Sequence, residues 1–243
     1  VGHIKHSRAA HIITIEDPIE FVHQDRNSRV SQREIGADTN SFSDALRHVV
    51  RQSPDVIVIG EMRDAETVAV ALSAALTGHL VLASLHTIDA TQTLQRMLSY
   101  YPDHLRAQVA MDLSLSLRGI ISQRLLPRED GQGRVLAAEL LSCSPPVSKL
   151  LREQRIDELL DLMRSTREPG IRTFNSSLLE LYSQGLISYD QGVASATSPE
   201  EFALQTKGMS TGLDTFHSGS DNEDIELDMK GLLAEVLERN ASD

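Results

Sequence analysis

Three short runs of apolar, mostly β-branched or leucine residues recur along the first part of the chain. They are Ile12–Ile15, Val56–Ile59 and Leu80–Leu85. Apolar runs of this length that alternate with helical segments are typical of strands in a parallel sheet covered on both faces. The pattern therefore predicts an α/β fold whose strands are joined by right-handed crossovers.

The segments between these runs carry apolar residues at helical spacing. Helices are predicted at Ser41–Gln52, which stops before Pro54, at Asp64–Leu76 and at Pro102–Leu117. Two later strands, Gly119–Leu126 and Arg134–Leu140, are predicted on either side of a glycine-containing turn.

Strand signals end near Ser144, and the rest of the chain is predicted to be helical. The expected helices are Val147–Arg152, Ile156–Met163, Phe174–Gln184 and Tyr189–Ala196. We therefore expect a core domain at residues 1–143, a small helical domain at 144–206 and an acidic tail at 207–243. Apolar residues within Ile225–Leu237 predict either a terminal amphipathic helix that docks on a partner or a disordered tail.

Composition narrows the class of protein. The 243 residues are 40% apolar and 24% charged, as in ordinary globular domains, and no apolar run approaches the roughly 20 residues that cross a bilayer. We therefore expect a cytoplasmic protein. The single cysteine, Cys143, excludes an internal disulfide and a multi-cysteine zinc site. The net charge of −12 disfavours a nucleic-acid partner.

Carboxylates follow the first predicted strand directly. Glu16, Asp17 and Glu20 lie where open α/β sheets place their ligand sites, at the carboxyl end of a strand. Such acids can hold a metal-bound water or act as a base. Alternatively, Asp17-Pro18 forms a simple turn and the two glutamates are solvated.

The second and third strands also end in polar groups. Val56–Ile59 is followed by Gly60-Glu61, which looks like a Walker B strand whose terminal acid holds Mg²⁺ or polarises the attacking water. Asp64, which comes next, has a structural alternative as a helix N-cap. His79 and His86 bracket the third strand, and neither has the spacing of a zinc site. Taken alone, both histidines are expected to be structural.

Together, these segments resemble the Asp box, Walker B and His box of the secretion and type IV pilus ATPases. The resemblance runs from about His11 to Ala203, and the intervening Gln32-Arg33-Glu34 also matches. It implies a RecA-like P-loop NTPase core that uses ATP and Mg²⁺ and hydrolyses ATP between the subunits of a hexameric ring.

The resemblance also implies roles for individual residues. Glu16 and Glu20 would be acids of the Asp box, and Glu61 would be the Walker B acid that binds Mg²⁺ through water. His79 and His86 would sense the phosphates or couple hydrolysis to movement. Asp17 and Arg63 would contact the nucleotide.

Within this family the chain resembles the retraction branch, the PilT/PilU group, because it cannot build the four-cysteine zinc site usual in assembly ATPases. Pro146–Glu153 resembles a motif of the retraction motors and retains Leu150, Arg152 and Glu153, which are expected to couple to partners. Gly170–Asn175 and the acidic tail resemble PilU more than PilT. The expected ring partners are further copies of this protein or, in a mixed ring, a PilT-like paralogue. The motor is also expected to contact the pilus platform protein of the inner membrane and to act at the inner face of that membrane.

One motif of the family is absent from the sequence. No Gly-x-x-x-x-Gly-Lys-Ser/Thr occurs, so the loop that cradles the phosphates of ATP is not present. We expect the chain to be a fragment of a longer motor, inactive by itself and poorly soluble because its sheet exposes apolar surface. The alternatives are a non-hydrolysing accessory subunit of a PilT-like ring and a RecA-like DNA motor, which the acidic charge disfavours.

Overall fold

The computed structural model describes residues 1–166 and 168–208. The strands are β1 (His11–Glu16), β2 (Arg29–Glu34), β3 (Val56–Ile59), β4 (Leu80–Ala83), β5 (Gly119–Pro127), β6 (Arg134–Ser142) and β7 (Ile171–Arg172). The α-helices are α1 (Gly2–Ser7), α2 (Phe42–Val49), α3 (Ala65–Leu76), α4 (Ala90–Ser99), α5 (Asp103–Ser116), α6 (Pro145–Arg152), α7 (Leu159–Ser165), α8 (Phe174–Ser183), α9 (Tyr189–Ser195) and α10 (Pro199–Thr206). The predicted tail helix at Ile225–Leu237 lies outside the described residues.

The chain packs into two compact units. The first comprises Val1–His86 and Arg96–Ser116, and the second comprises Thr87–Gln95 and the described residues from 117 to 208. The packing thus groups the β5–β6 hairpin with the helices that follow it, whereas the domain limits predicted above place both strands before residue 144. None of the helices in residues 1–166 and 168–208 is both long and apolar enough to cross a membrane.

The first unit is built on a parallel sheet, which confirms the predicted α/β class. Its strand order is β2-β1-β3-β4, and all three pairings are parallel. The apolar strands β1 and β3 lie in the middle and are almost completely buried. β2 was missed by the apolar pattern because Arg29–Glu34 is mostly polar, and a partly exposed edge strand needs little apolar surface.

Local sequence signals explain where the helices of this unit begin and end. The side chain of Ser41 caps α2 by accepting a hydrogen bond from the backbone N–H of Asp44, at 3.1 Å. Asp64 caps α3 in the same way through the N–H of Thr67, at 2.8 Å, which confirms its structural role. After α2 the chain turns at Ser53, whose φ of 51° lies in the left-handed region, just before Pro54.

The second unit contains an antiparallel sheet of order β5-β6-β7. β5 and β6 pair along their whole length, and the two-residue strand β7 pairs with β6. The expectation that strands end at Ser144 is therefore wrong at Ile171–Arg172, where two residues are too few to give a period-2 signal. The predicted helices are confirmed as α6 to α9, whereas α1, α4 and α10 were not predicted.

A carboxylate is buried inside the second unit. Glu139 of β6 is only 3% exposed and accepts a hydrogen bond from the backbone N–H of Ala90, at 2.8 Å, where α4 begins. The backbone of Phe174, at the start of α8, also hydrogen-bonds this carboxylate. Burial raises the pKa of Glu139 above its ordinary value, because the charged form loses its hydration.

This raised pKa predicts how stability depends on pH. The unfolded state releases the proton of Glu139 near pH 4.5, whereas the folded state retains it to higher pH. The contribution to stability is therefore complete below pH 4.5 and declines as pH rises through the pKa of the folded state. We expect the free energy of unfolding of wild type minus that of Glu139→Gln to fall from pH 4.5 upward, as measured by urea unfolding. Glu129→Gln, in the exposed turn of the same hairpin, is the matched control, and a pH-independent difference for Glu139→Gln would refute the assignment.

Candidate active site

The candidate site lies where β1 and β3 end side by side. Ile15 of β1 pairs with Ile59 of β3, so the residues that follow both strands emerge at one edge of the sheet. The backbone N–H of Gly60 donates to the carbonyl oxygen of Ile15, at 2.7 Å. A Cβ atom at Gly60 would lie 3.1 Å from that oxygen, so glycine permits the close approach that brings Glu61 beside Asp17.

An arginine links the two strand ends. Arg63 donates from Nε to Oε2 of Glu61, at 2.5 Å, and from Nη1 to Oδ2 of Asp17, at 3.2 Å. The hydrogen bond with Glu61, followed by the charges of Glu61 and Asp17, raises the pKa of Arg63. The guanidinium therefore stays charged and links Asp17, which follows β1, to Glu61, which follows β3.

His86 completes the group on the other side of Glu61. Its Nε2 lies 3.3 Å from Oε1 of Glu61, so both carboxylate oxygens of Glu61 have a nitrogen neighbour. The side chain of His86 is 87% exposed, whereas that of Glu61 is 17% exposed. Ser84 helps to place this histidine, since its hydroxyl donates to the carbonyl of Gly60 and its carbonyl accepts from the N–H of Met62. The carboxylate is thus held firmly beside a ring that solvent and ligands can reach.

The two glutamates predicted to be Asp-box acids, Glu16 and Glu20, differ in their surroundings. Oε1 of Glu16 accepts hydrogen bonds from the hydroxyl of Thr14, at 2.6 Å, and from the amide of Gln32, at 2.8 Å. Glu20 is exposed, and within the described part of the chain its side chain has no hydrogen bond or ion pair. Glu16 is therefore oriented by the fold, whereas the position of Glu20 depends on the loop that carries it.

The structure does not bring His79 to this group. His79 precedes β4, and its Nδ1 lies 3.0 Å from the carbonyl oxygen of Ala74 and 3.3 Å from the hydroxyl of Thr77. The length of β4 separates it from the edge that carries Glu61, a distance of about 15 Å at the rise of a strand. The described contacts of His79 are those of a residue that joins the end of α3 to the start of β4.

The expected partner-coupling residues lie on and after α6 in the second unit. Arg152 and Glu153 are exposed, and Leu150 is partly buried. Glu153 forms an ion pair with Arg155, at 2.8 Å, in an exposed position. These side chains are accessible to a partner, and their role stays a prediction.

The side chains of the site can provide some of the ligands of a magnesium–nucleotide complex. Across residues 1–166 and 168–208, no three His, Cys, Asp or Glu side chains are grouped so as to hold a metal ion. Glu61 could supply one carboxylate ligand to Mg²⁺, an ion that proteins usually bind through one or two carboxylates together with water and phosphate oxygens. A carboxylate between an arginine and an accessible histidine can orient water and respond to a nearby charged group.

Sequence reasoning assigned no positioning role to the side chains that organise this edge, although Gln32-Arg33-Glu34 was part of the family resemblance. Ser84 and Gln32 orient the segments that carry His86 and Glu16, and Glu34 binds the backbone of Ile19. A signal for Gln32 and Glu34 was present, since polar residues two apart on a strand share a face. This spacing was not interpreted as a shared strand face, because β2 itself was not predicted.

Comparison of the sequence and fold with known proteins assigns this chain to a family. The sequence profile described as type II/IV secretion system protein matches residues 1–191. The type IV pilus ATPase PilU of Pseudomonas aeruginosa is 42% identical over 229 residues, which cover 94% of this chain and 60% of PilU. The retraction ATPase PilT of the same organism is 41% identical over 202 residues, covering 83% of this chain and 58% of PilT.

Solved structures agree with the sequence relatives. The crystal structure of the pilus retraction motor PilT with bound ADP superposes with a TM-score of 0.76 at 47% identity, covering 82% of this chain and 56% of that one. The ATPase DotB of Legionella pneumophila gives a TM-score of 0.69 at 32% identity, covering 77% and 52% of the two chains. The chain spans little more than half the length of these relatives. From the profile match, the identities and the shared fold, it belongs to the type II/IV secretion system protein family, and its close relatives are the pilus ATPases PilU and PilT.

Proposed function

We propose that this chain is the catalytic part of an ATP-hydrolysing motor subunit that drives retraction of type IV pili. The observation that carries the proposal is the position of Glu61 at the end of β3, held by Arg63 and adjacent to His86. The names and the similarity of PilU and PilT supply the pilus context. Because the chain matches only part of each relative, the activity of the whole protein is a proposal.

Each residue of the site has a role in this proposal. Bound Mg²⁺ would supply charge neutralisation for the phosphates of ATP. Glu61 would bind the ion through water or orient the attacking water, and Arg63 holds its carboxylate in place through a hydrogen bond. His86, which is exposed beside Glu61, is positioned to respond to the phosphates, and Glu16 and Glu20 provide the acids of the neighbouring strand. His79 keeps only its predicted coupling role, since no contact links it to Glu61.

Phosphate binding is not assigned to a loop of these 243 residues, because the sequence contains no Gly-x-x-x-x-Gly-Lys-Ser/Thr motif. One edge of the parallel sheet is suited to pairing with a further strand. β4 is apolar along its whole length, yet it lies at an edge of the four-stranded sheet with Val81 and Leu82 partly exposed. Among the described residues no strand pairs with the outer side of β4, and the backbone groups of such an edge can pair with another strand.

The proposed motor is a hexameric ring made of this protein alone or mixed with a PilT-like paralogue. It would work in the cytoplasm at the inner face of the inner membrane, through the pilus platform protein. The exposed residues Arg152 and Glu153, with Leu150, are the proposed coupling surface.

A segment exchange tests this proposal. The part of Pseudomonas aeruginosa PilU that matches this chain is replaced by this chain, and ATP hydrolysis and twitching motility are measured in a strain without PilU. We expect both activities to be retained in large part, because the fold and the site group are shared. The isolated 243-residue chain serves as the control and should not hydrolyse ATP. A correctly assembled chimera that binds ATP but does not hydrolyse it would refute the proposed activity.

The second candidate is a non-hydrolysing accessory subunit that binds a PilT-like ring and modulates it. The absent phosphate-binding loop and the departures from the retraction motif in Pro146–Glu153 favour it. It predicts that the isolated chain binds a purified PilT ring and changes its ATPase rate although the chain itself does not bind ATP. A motor ring made of this protein alone predicts no such effect.

A further inference from the structure

The segment after Asp17-Pro18 is held by side chains of β2 rather than by a strand ladder. The N–H of Ile19 donates to Oε2 of Glu34, at 3.0 Å, and the N–H of His23 donates to Oε1 of Gln32, at 2.7 Å. The amide of Gln32 also donates to the carbonyl of Phe21, at 3.0 Å. The backbone is thus bound at every second residue of Ile19–His23.

The same glutamine also holds the carboxylate at the end of β1. Nε2 of Gln32 donates to Oε1 of Glu16, at 2.8 Å, in addition to its bond with Phe21. The neighbouring Thr14 donates to the same oxygen, at 2.6 Å. One partly buried side chain therefore joins Glu16 to the loop that carries Glu20.

We propose that Gln32, assisted by Glu34, is a positioning residue that orients Glu16 and sets the location of Glu20. The four hydrogen bonds that these two side chains make to Glu16, Ile19, Phe21 and His23 are called the loop clasp here. Glu20 has no described partner of its own, so the binding of Ile19 and Phe21 on either side is what confines it. The part of this inference that concerns catalysis rests on the proposed function, whereas the clasp itself does not.

The chemistry explains why an amide occupies position 32. The clasp needs one group that donates to both Glu16 and Phe21 and accepts from His23, which a glutamine provides and a carboxylate or an aliphatic side chain does not. A glutamate at this position would still accept from His23, but it would repel Glu16. Gln32→Glu and Gln32→Val should therefore both open the loop.

Proteolysis of the 243-residue chain tests the clasp without any activity. Phe21 is 66% exposed, yet its carbonyl is bound by Gln32, so chymotrypsin can cut after Phe21 only when the clasp opens. We expect Gln32→Val to speed this cut by about tenfold, the change expected when one or two net hydrogen bonds are lost. Arg33→Val is the matched control, because the Arg33 side chain contacts Gln52 instead of the loop, and its cutting rate should equal that of wild type.

General unfolding is recognised in the same digest. Cuts after Tyr182 and Tyr189, which lie on helices of the other unit, should keep their wild-type rates in all variants. If the cut after Phe21 is not faster in Gln32→Val or in Gln32→Glu while these sites stay protected, the clasp does not hold the loop and the proposal is wrong.

The catalytic consequence is measured in the PilU segment exchange. There, Gln32→Val should lower kcat for ATP hydrolysis by about tenfold with little change in KM, because misplaced acids weaken interactions made in the transition state. Arg33→Val should leave both constants unchanged. A faster cut after Phe21 with unchanged kcat would overturn the positioning role. A chimera that is inactive even with Gln32 present would instead count against the proposed function, while the proteolysis would still decide the clasp.

Discussion

Glu61→Gln in the PilU segment exchange is expected to lower kcat for ATP hydrolysis by about 10²- to 10⁴-fold, the range found when a positioned acid or base is removed. Glutamine has nearly the same size and can still accept a hydrogen bond near His86. It lacks the negative charge that attracts Mg²⁺ and polarises water. The substitution therefore removes the charge of the site with little change in its shape.

The structure offers a matched control for the loss of a carboxylate. Glu66 lies in the first turn of α3, is about half exposed and pairs with the exposed Arg47. Glu66→Gln removes an equal charge from the same unit, and an exposed ion pair of this kind contributes about 1 kcal/mol at most. We expect this variant to retain wild-type kcat. If Glu61→Gln is as active as Glu66→Gln, Glu61 is not the Walker B acid.

The largest effect on stability is expected at Phe174. Its ring is 0% exposed, and it begins α8 within a cluster formed by Leu126, Ala137, Leu178, Leu181, Ile187 and Phe202. The guanidinium of Arg124 lies over the ring, with Cζ 3.9 Å from its centroid. Phe174→Ala should reduce the free energy of unfolding by about 3–5 kcal/mol, because it removes apolar contacts and leaves a cavity. Urea unfolding of the second unit, followed by circular dichroism, measures the change.

Phe21→Ala provides the comparison for this change, since it removes the same atoms from a ring that is 66% exposed. An exposed side chain contributes little, and we expect a loss within about 0.5 kcal/mol. Equal losses at Phe21 and Phe174 would contradict the burial described for Phe174.

The family and the α/β fold could be predicted from sequence, because the signals are local. Apolar strands with acids directly after them, as in Val56–Ile59 followed by Glu61, do not depend on distant contacts. Capping is equally local, since Asp64 and Thr67 are three residues apart. Such patterns predicted β1, β3 and β4 and most helices close to their observed limits.

Other features could not be predicted in this way. β2 forms because β1 supplies a parallel partner from His11 to Glu16, and its own mostly polar sequence gives no strand signal. The burial of Glu139 likewise depends on Ala90 and Phe174, which are far away in the chain and meet it only in the folded unit. Long-range pairing of this kind leaves no periodic pattern in any single segment.

The sequence by itself determined the α/β class, the order of the boxes and the absence of a phosphate-binding loop. Only the tertiary structure decided which of the chemical groups meet. It joins Asp17, Glu61, Arg63 and His86 at one edge of the sheet and leaves His79 at the other. The physical reason is that parallel strands align their carboxyl ends, so residues after strands converge whereas a residue before a strand lies one strand length away.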